Sequence, residues 1–154
     1  MPNVQIHVTQ GAASVEAKKK MVAKITEAAD QAYPLPVQAA KRKELGGRGP
    51  DTRIFIHEYV RENVGYDGRL QVDPEPIRPV LYFDAPPGIT VERKRKMFAA
   101  VTEAVVEAYK AVPTDVLIFL RQHEIANVGS NGRPQSENLI GTAEEAQFAK
   151  TVTA

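Results

Sequence analysis

Pro2 opens the run Pro2-Asn3-Val4-Gln5-Ile6-His7-Val8. If Met1 is removed, Pro2 carries a free secondary amine, which acts as a base or a nucleophile near neutral pH when its surroundings lower its pKa. If Met1 is retained, the same nitrogen is an amide and that chemistry is gone. Other reactive groups are sparse. The chain has no cysteine, which excludes disulfides, thiolate catalysis and zinc–thiolate sites. Its three histidines, His7, His57 and His123, form no His-x-x-x-His pair, so neither a metal nor a cofactor is expected. Glu58 and Glu124 have the right chemistry for acid–base work, although carboxylates at strand ends are more often simply solvated. Tyr59 and Tyr66 could donate to a substrate or pack.

These groups must be positioned by a frame that is written twice. Residues 51–69 and 115–133 share eight identities in 19 positions at a constant offset of 64, with the common pattern Asp-x-x-Ile-Phe followed by Asn-Val-Gly-x-x-Gly-Arg. Such self-similarity indicates internal duplication. Each copy has a strand (about 3–9 and 79–84), an amphipathic helix (about 14–33 and 90–111), a second strand (about 52–59 and 116–122) and a hairpin-like tail. Met21 and Ile25 recur at helical spacing, as do Met97, Val101 and Val105. Ser14 and Thr90 stand at N-cap positions. Tyr66-Asp67-Gly68 and Ser130-Asn131-Gly132 contain tight-turn dipeptides, and Asn63 and Asn127 recur with those turns, which favours a structural role for them.

The expected fold class is therefore α+β: duplicated β-α-β units in the order β-α-β-β-α-β, forming a four-stranded sheet with two helices on one face. The strands within each unit should be parallel, joined by a right-handed crossover. The chain reads as a single domain, 1–154. Repeat one is about 2–69 with an insertion at 34–50, repeat two is about 78–133, and a tail covers 134–154, where 143–148 is a short helical candidate. The insertion could be a lid, a contact with a neighbouring subunit or a tolerated surface segment. Ile54-Phe55-Ile56 and Leu117-Ile118-Phe119-Leu120 are apolar toward both faces, so the side of the sheet away from the helices should be covered by self-association.

Composition agrees with a globular chain: 43% hydrophobic and 25% charged residues over 154 positions. The net charge of +1 gives no footprint for nucleic acid or for an anionic membrane. Lys41-Arg42-Lys43 and Arg93-Lys94-Arg95-Lys96 read as solvated local runs. No apolar stretch reaches the length of a membrane span, and the N-terminus lacks signal-peptide form, so a cytoplasmic location is expected.

The proline after the initiator methionine, the strand Pro2-x-Val4-x-Ile6-His7-Val8, the Gly11 turn into a helix and a second strand beginning at Arg53 resemble the tautomerase superfamily, that of 4-oxalocrotonate tautomerase. The Asn63-Val64-Gly65-x-x-Gly68 tail is similar to that family's closing hairpin. The likeness covers about residues 2–133 and has the form of a fused member, similar in layout to cis-3-chloroacrylic acid dehalogenase. It implies a trimeric barrel assembly, Pro2 as the catalytic amine and Arg53 as the group that binds a substrate carboxylate and polarises its carbonyl. A planar guanidinium meets a carboxylate in two hydrogen bonds, and a nearby cation disfavours protonated Pro2.

The departures are specific. The family's Gly-Arg-Ser turn is Gly11-Ala12-Ala13-Ser14 here, which removes one arginine. The hairpin aromatic is Val64, with Tyr66 adjacent as a substitute. The arginine pair of the cis-dehalogenases is absent from Asp84-Ala85-Pro86-Pro87-Gly88. In repeat two the Pro79 nitrogen is an internal amide, Leu117 stands in the place of Arg53, and Arg121 is aligned with His57.

The resemblance thus implies an isomerase that interconverts the enol and keto forms of a 2-keto acid, with Pro2 and Arg53 as catalytic residues and Arg53, Arg121 and Tyr66 as substrate-binding residues. Its partners would be a small-molecule carboxylic acid and two further copies in a homotrimer. A hydratase, dehalogenase or carbon–carbon bond-forming enzyme using the same proline is the alternative reaction. A non-catalytic trimeric scaffold or binding protein is the alternative if Met1 is retained.

Overall fold

The computed structural model describes residues 2–33, 52–71, 75–130 and 132–137. The insertion 34–50, most of the tail 134–154 and the helical candidate at 143–148 lie outside the described residues. The main elements are β1 (Asn3–Thr9), α1 (Val15–Ala32), β2 (Arg53–Tyr59), β3 (Gly65–Tyr66), β4 (Arg69–Leu70), β5 (Val80–Ala85), α2 (Val91–Tyr109), β6 (Leu117–Gln122), β7 (Gly129–Ser130) and β8 (Arg133–Pro134). Strand and helix limits fall within one or two residues of those expected.

The helices begin where their caps dictate. The Ser14 hydroxyl accepts from the Ala17 amide and the Thr90 hydroxyl from the Arg93 amide, satisfying amides that the first turn leaves open. Pro34 follows the end of α1, and Tyr33 has already left helical geometry (φ −125°, ψ 68°), as a residue before proline must. α2 ends on Lys110 in the left-handed region, with φ 56°.

The four long strands form one mixed sheet in the order β2-β1-β5-β6. β1 pairs with β2 and β5 with β6 in parallel, and the two repeats meet at the antiparallel β1–β5 seam. Strand alternation sorts the side chains. Val4, Ile6, Leu81 and Phe83 point to the helical side, where they are fully buried against Met21, Ile25, Met97 and Val101. Each such burial contributes about 1.5–3 kcal/mol. After β2 and after β6 the chain makes the same tail: a 3₁₀ turn, Arg61–Asn63 or Ile125–Asn127, then a short hairpin. The Gln71 amide closes one tail onto the Val64 carbonyl, and the Gln135 amide closes the other onto Val128. Asp67 and Gly68 both have positive φ (51° and 80°), which is what a two-residue hairpin turn requires.

The two helices cover one sheet face only. On the other, Phe55, Leu117 and Phe119 are 52%, 51% and 44% exposed in the isolated chain. Nothing among the described residues of the same chain covers them.

Candidate active site

Pro2 lies buried at the head of β1, and its carbonyl accepts from the Arg53 amide at 3.1 Å. Repeat two makes the same bond, from the Leu117 amide to the Pro79 carbonyl at 3.0 Å. The two prolines are therefore structural equivalents, and so are Arg53 and Leu117. Only one of the two positions pairs a potentially free proline with a strand arginine.

The pairing register builds the rest of the site. Arg53 faces Asn3, Asn3 faces Asp84, and Asp84 faces Arg121, one row across all four strands on the open face, next to Pro2. Alignment of the repeats matches Arg121 with His57, but the antiparallel seam carries Arg121 to the Pro2 end of the sheet. Arg121 is not held ready for a ligand there. Its Nε and Nη2 donate to the Asp84 carboxylate at 2.8 and 2.9 Å, and its guanidinium lies 4.7 Å from the centre of the Tyr82 ring.

Asp84 also faces His123, with Nε2 2.8 Å from Oδ1. Burial works against the charge on Asp84, but the hydrogen bonds and positive charges of His123 and Arg121 win, holding its carboxyl below the ordinary value. At the opposite end of the same face the corresponding row is His57, His7, Val80 and Leu117. The His7 and His57 rings stack at 4.7 Å, and His7 Nδ1 lies 2.7 Å from the Tyr59 hydroxyl. Burial, then the charges of His57 and Arg121, lower the His7 pKa and favour the neutral ring.

Tyr66 stands apart from this site. Its hydroxyl accepts from the Arg78 amide at 3.3 Å, and the Arg78 guanidinium lies 4.9 Å from its ring centre. Arg78 precedes Pro79, which enters β5 beside the C-terminal end of β1. Within one chain, Tyr66 and Pro2 thus lie at opposite ends of a seven-residue strand, roughly 20 Å apart. The structure brings together Pro2, Arg53 and Arg121 at one sheet end and leaves Tyr66 at the other.

An open groove of about 300 Å³ between α1 and α2 is lined by Lys20, Lys24 and Glu107 among others, and none of the proline-end residues lines it. Among the described residues no group of three or more histidine or acidic side chains could hold a metal ion, and no helix is long and apolar enough to cross a membrane.

Residues 79–137 match the family described as tautomerase enzyme. No curated protein matches the sequence. The F6 fused 4-OT wild-type asymmetric trimer superposes with a TM-score of 0.70 at 19% identity, covering 88% of this chain and 98% of that one. Pt0534 inactivated by 2-oxo-3-pentynoate gives a TM-score of 0.66 at 22% identity, covering 90% and 99%. N1, a member of the cis-3-chloroacrylic acid dehalogenase family, gives 0.66 at 13% identity and covers 98% of both chains. The chain has the fused tautomerase-superfamily fold.

The family match falls on repeat two, the half whose proline, Pro79, is an internal amide. The proline and Arg53 lie in the half outside the match. Sequence reasoning missed Asp84 and His123 as a pair, having weighed His123 only against metal binding. Asp84 is on β5 and His123 directly follows the end of β6, 39 residues away. The signal available was register: once β5 and β6 are paired in parallel, Asp84 faces Arg121, two residues before His123.

Proposed function

We propose that this chain is an enol–keto tautomerase acting on 2-keto acids, with the neutral Pro2 amine as general base and Arg53 as the carboxylate clamp. The observation that carries the reading is the hydrogen-bonded pairing of Pro2 with the Arg53 backbone on one end of the sheet, set against an equivalent pair, Pro79 and Leu117, that has neither amine nor cation. Pro2 takes a proton from the carbon next to the keto group. Arg53 holds the carboxylate and stabilises the charge that develops on oxygen. Arg121 serves the same end of the site through Asp84, and Tyr66 belongs to a site only across a subunit boundary. The apolar open face supports assembly as a homotrimer, as in the fused 4-OT trimers of the same fold. A cytoplasmic location is part of this reading.

The test begins with intact-mass measurement of the mature protein, because a retained Met1 abolishes the base. The Met-free protein is then assayed for ketonisation of phenylenolpyruvate and 2-hydroxymuconate. Pro2→Ala is expected to lower kcat by about 100-fold or more, the usual contribution of a positioned base. Conversion of neither substrate, together with an unchanged Pro2→Ala variant, would overturn the reading. The acetylenic acid 2-oxo-3-pentynoate, which inactivates Pt0534, gives a second readout: a covalent adduct on the N-terminal peptide reports a nucleophilic, unprotonated Pro2.

A further inference from the structure

Interconverting enol and ketone moves two protons, one on carbon and one on oxygen. Under the reading above, Pro2 serves the carbon. Arg53 cannot serve the oxygen, because a guanidinium is not deprotonated in proteins. The oxygen-bound proton must then go to water or to a second side chain, and Asp84 and His123 have the geometry of such a carrier. They sit on the open face at the Pro2 end, with Asp84 in the row of Arg53. The Asp84 side chain is 19% exposed and receives two guanidinium nitrogens and one imidazole nitrogen. A carboxylate so held stays charged and accepts the Nε2 proton of His123; in the neutral ring the lone pair then lies on Nδ1.

The His123 side chain is 45% exposed in the isolated chain, at the end of the sheet beside Pro2 rather than in the middle of the apolar face. Arg53 and Asp84 flank β1 on either side, about 10 Å apart between backbones, and only Asn3 lies between them in the row. A short 2-keto acid whose carboxylate is held by Arg53 would lie across Asn3 with its oxygen toward β5 and β6.

We propose that His123, oriented by Asp84, carries the oxygen-bound proton of the enol. In the ketonising direction the enol O–H bond breaks and its proton passes to His123 Nδ1. The electrons of that bond form the C=O bond, and the C=C pair takes a proton from the Pro2 ammonium to form the new C–H bond. His123 is left as an imidazolium beside Asp84 and Pro2 as a neutral amine. Exchange of protons with water restores both.

The inference rests on the Pro2 reading, and the experiment separates the two. With Met-free protein and phenylenolpyruvate, His123→Asn should lower kcat by about 100-fold and leave KM unchanged, since carboxylate binding belongs to Arg53. His123→Gly should regain activity with added imidazole, a response that loss of a structural contact does not give. A His123→Asn variant that keeps its kcat while Pro2→Ala loses activity overturns this inference alone, whereas a fully active Pro2→Ala overturns the reading beneath it. Oxalate, a planar mimic of the enolate, supplies a readout independent of turnover and of any substitution at His123. It should shift the ring-nitrogen NMR signals of His123 in the unsubstituted protein and not in Arg53→Ala. Absence of that shift overturns the inference.

Discussion

At the scale of single residues, one ion pair organises this sheet end. Arg121 and Asp84 neutralise each other, and the ring of Tyr82 lies beneath the guanidinium. The cation proposed to bind the substrate is Arg53, the first residue of an edge strand and exposed in the isolated chain. Replacing Arg53 with Ala should raise KM by roughly 10- to 150-fold, corresponding to the 1.5–3 kcal/mol of a charge-assisted hydrogen bond. Arg53→Lys should recover only part of that, because a lysine restores the charge without the two-pronged geometry. Steady-state kinetics on the two variants separates charge from geometry, and equal KM values for all three proteins would exclude Arg53 as the clamp. The position of Arg53 at the start of β2 was legible in the sequence because it is a local feature, one arginine at the start of one strand. Asp84 with His123 was not, since their contact exists only after two strands are laid side by side in a particular register.

At the scale of elements, the duplicated pattern made both βαβ units readable. Buried residues recur at helical and strand spacing in both copies, and the caps Ser14 and Thr90 mark both helix starts. What alternation could not give is the antiparallel seam between the copies, which decides which row of side chains joins Pro2. Nor could it give the tie between the helices. Glu107 of α2 accepts from both Lys20 and Lys24 of α1. These two hydrogen bonds pull its carboxyl from 4.5 down to about 2. A depressed carboxylate pKa means stability that is present above the ordinary value and lost as pH falls through the folded one. Glu107→Gln should therefore be less stable than the parent at neutral pH, with the difference closing between pH 4.5 and about 2. Denaturant unfolding at several pH values checks this, and a difference independent of pH would assign the effect to packing. Truncation in the shared core is a larger perturbation: Ile25→Ala should cost about 2–5 kcal/mol, because Ile25 is 0% exposed.

At the scale of the whole molecule, the open face is the dominant unbalanced feature. Phe55 and Phe119 occupy the outer strands of one row, with Gln5 and Tyr82 between them, and Tyr82 stacks on Phe119 at 5.3 Å. If this face closes against other copies of the chain, a buried carboxylate there is costly. Phe119→Asp should then shift the protein from a trimer to a monomer in light scattering at micromolar concentration, while circular dichroism of the isolated chain remains that of an α+β fold. An unchanged trimer would assign assembly to another surface.

The equivalence of Pro2 and Pro79 is one of position and not of chemistry. Joining them leaves the second proline acylated by Arg78, so the peptide bond works as a permanent protecting group on one of two potential amines. At the Pro79 end of the sheet Leu117 stands where Arg53 stands at the Pro2 end, and His7 meets Tyr59 at one end while Asp84 meets His123 at the other. The sheet is thus polar along its strands: one end carries Arg53 and the Arg121–Asp84 ion pair beside Pro2, and the other carries the stacked rings of His7, His57 and Tyr59.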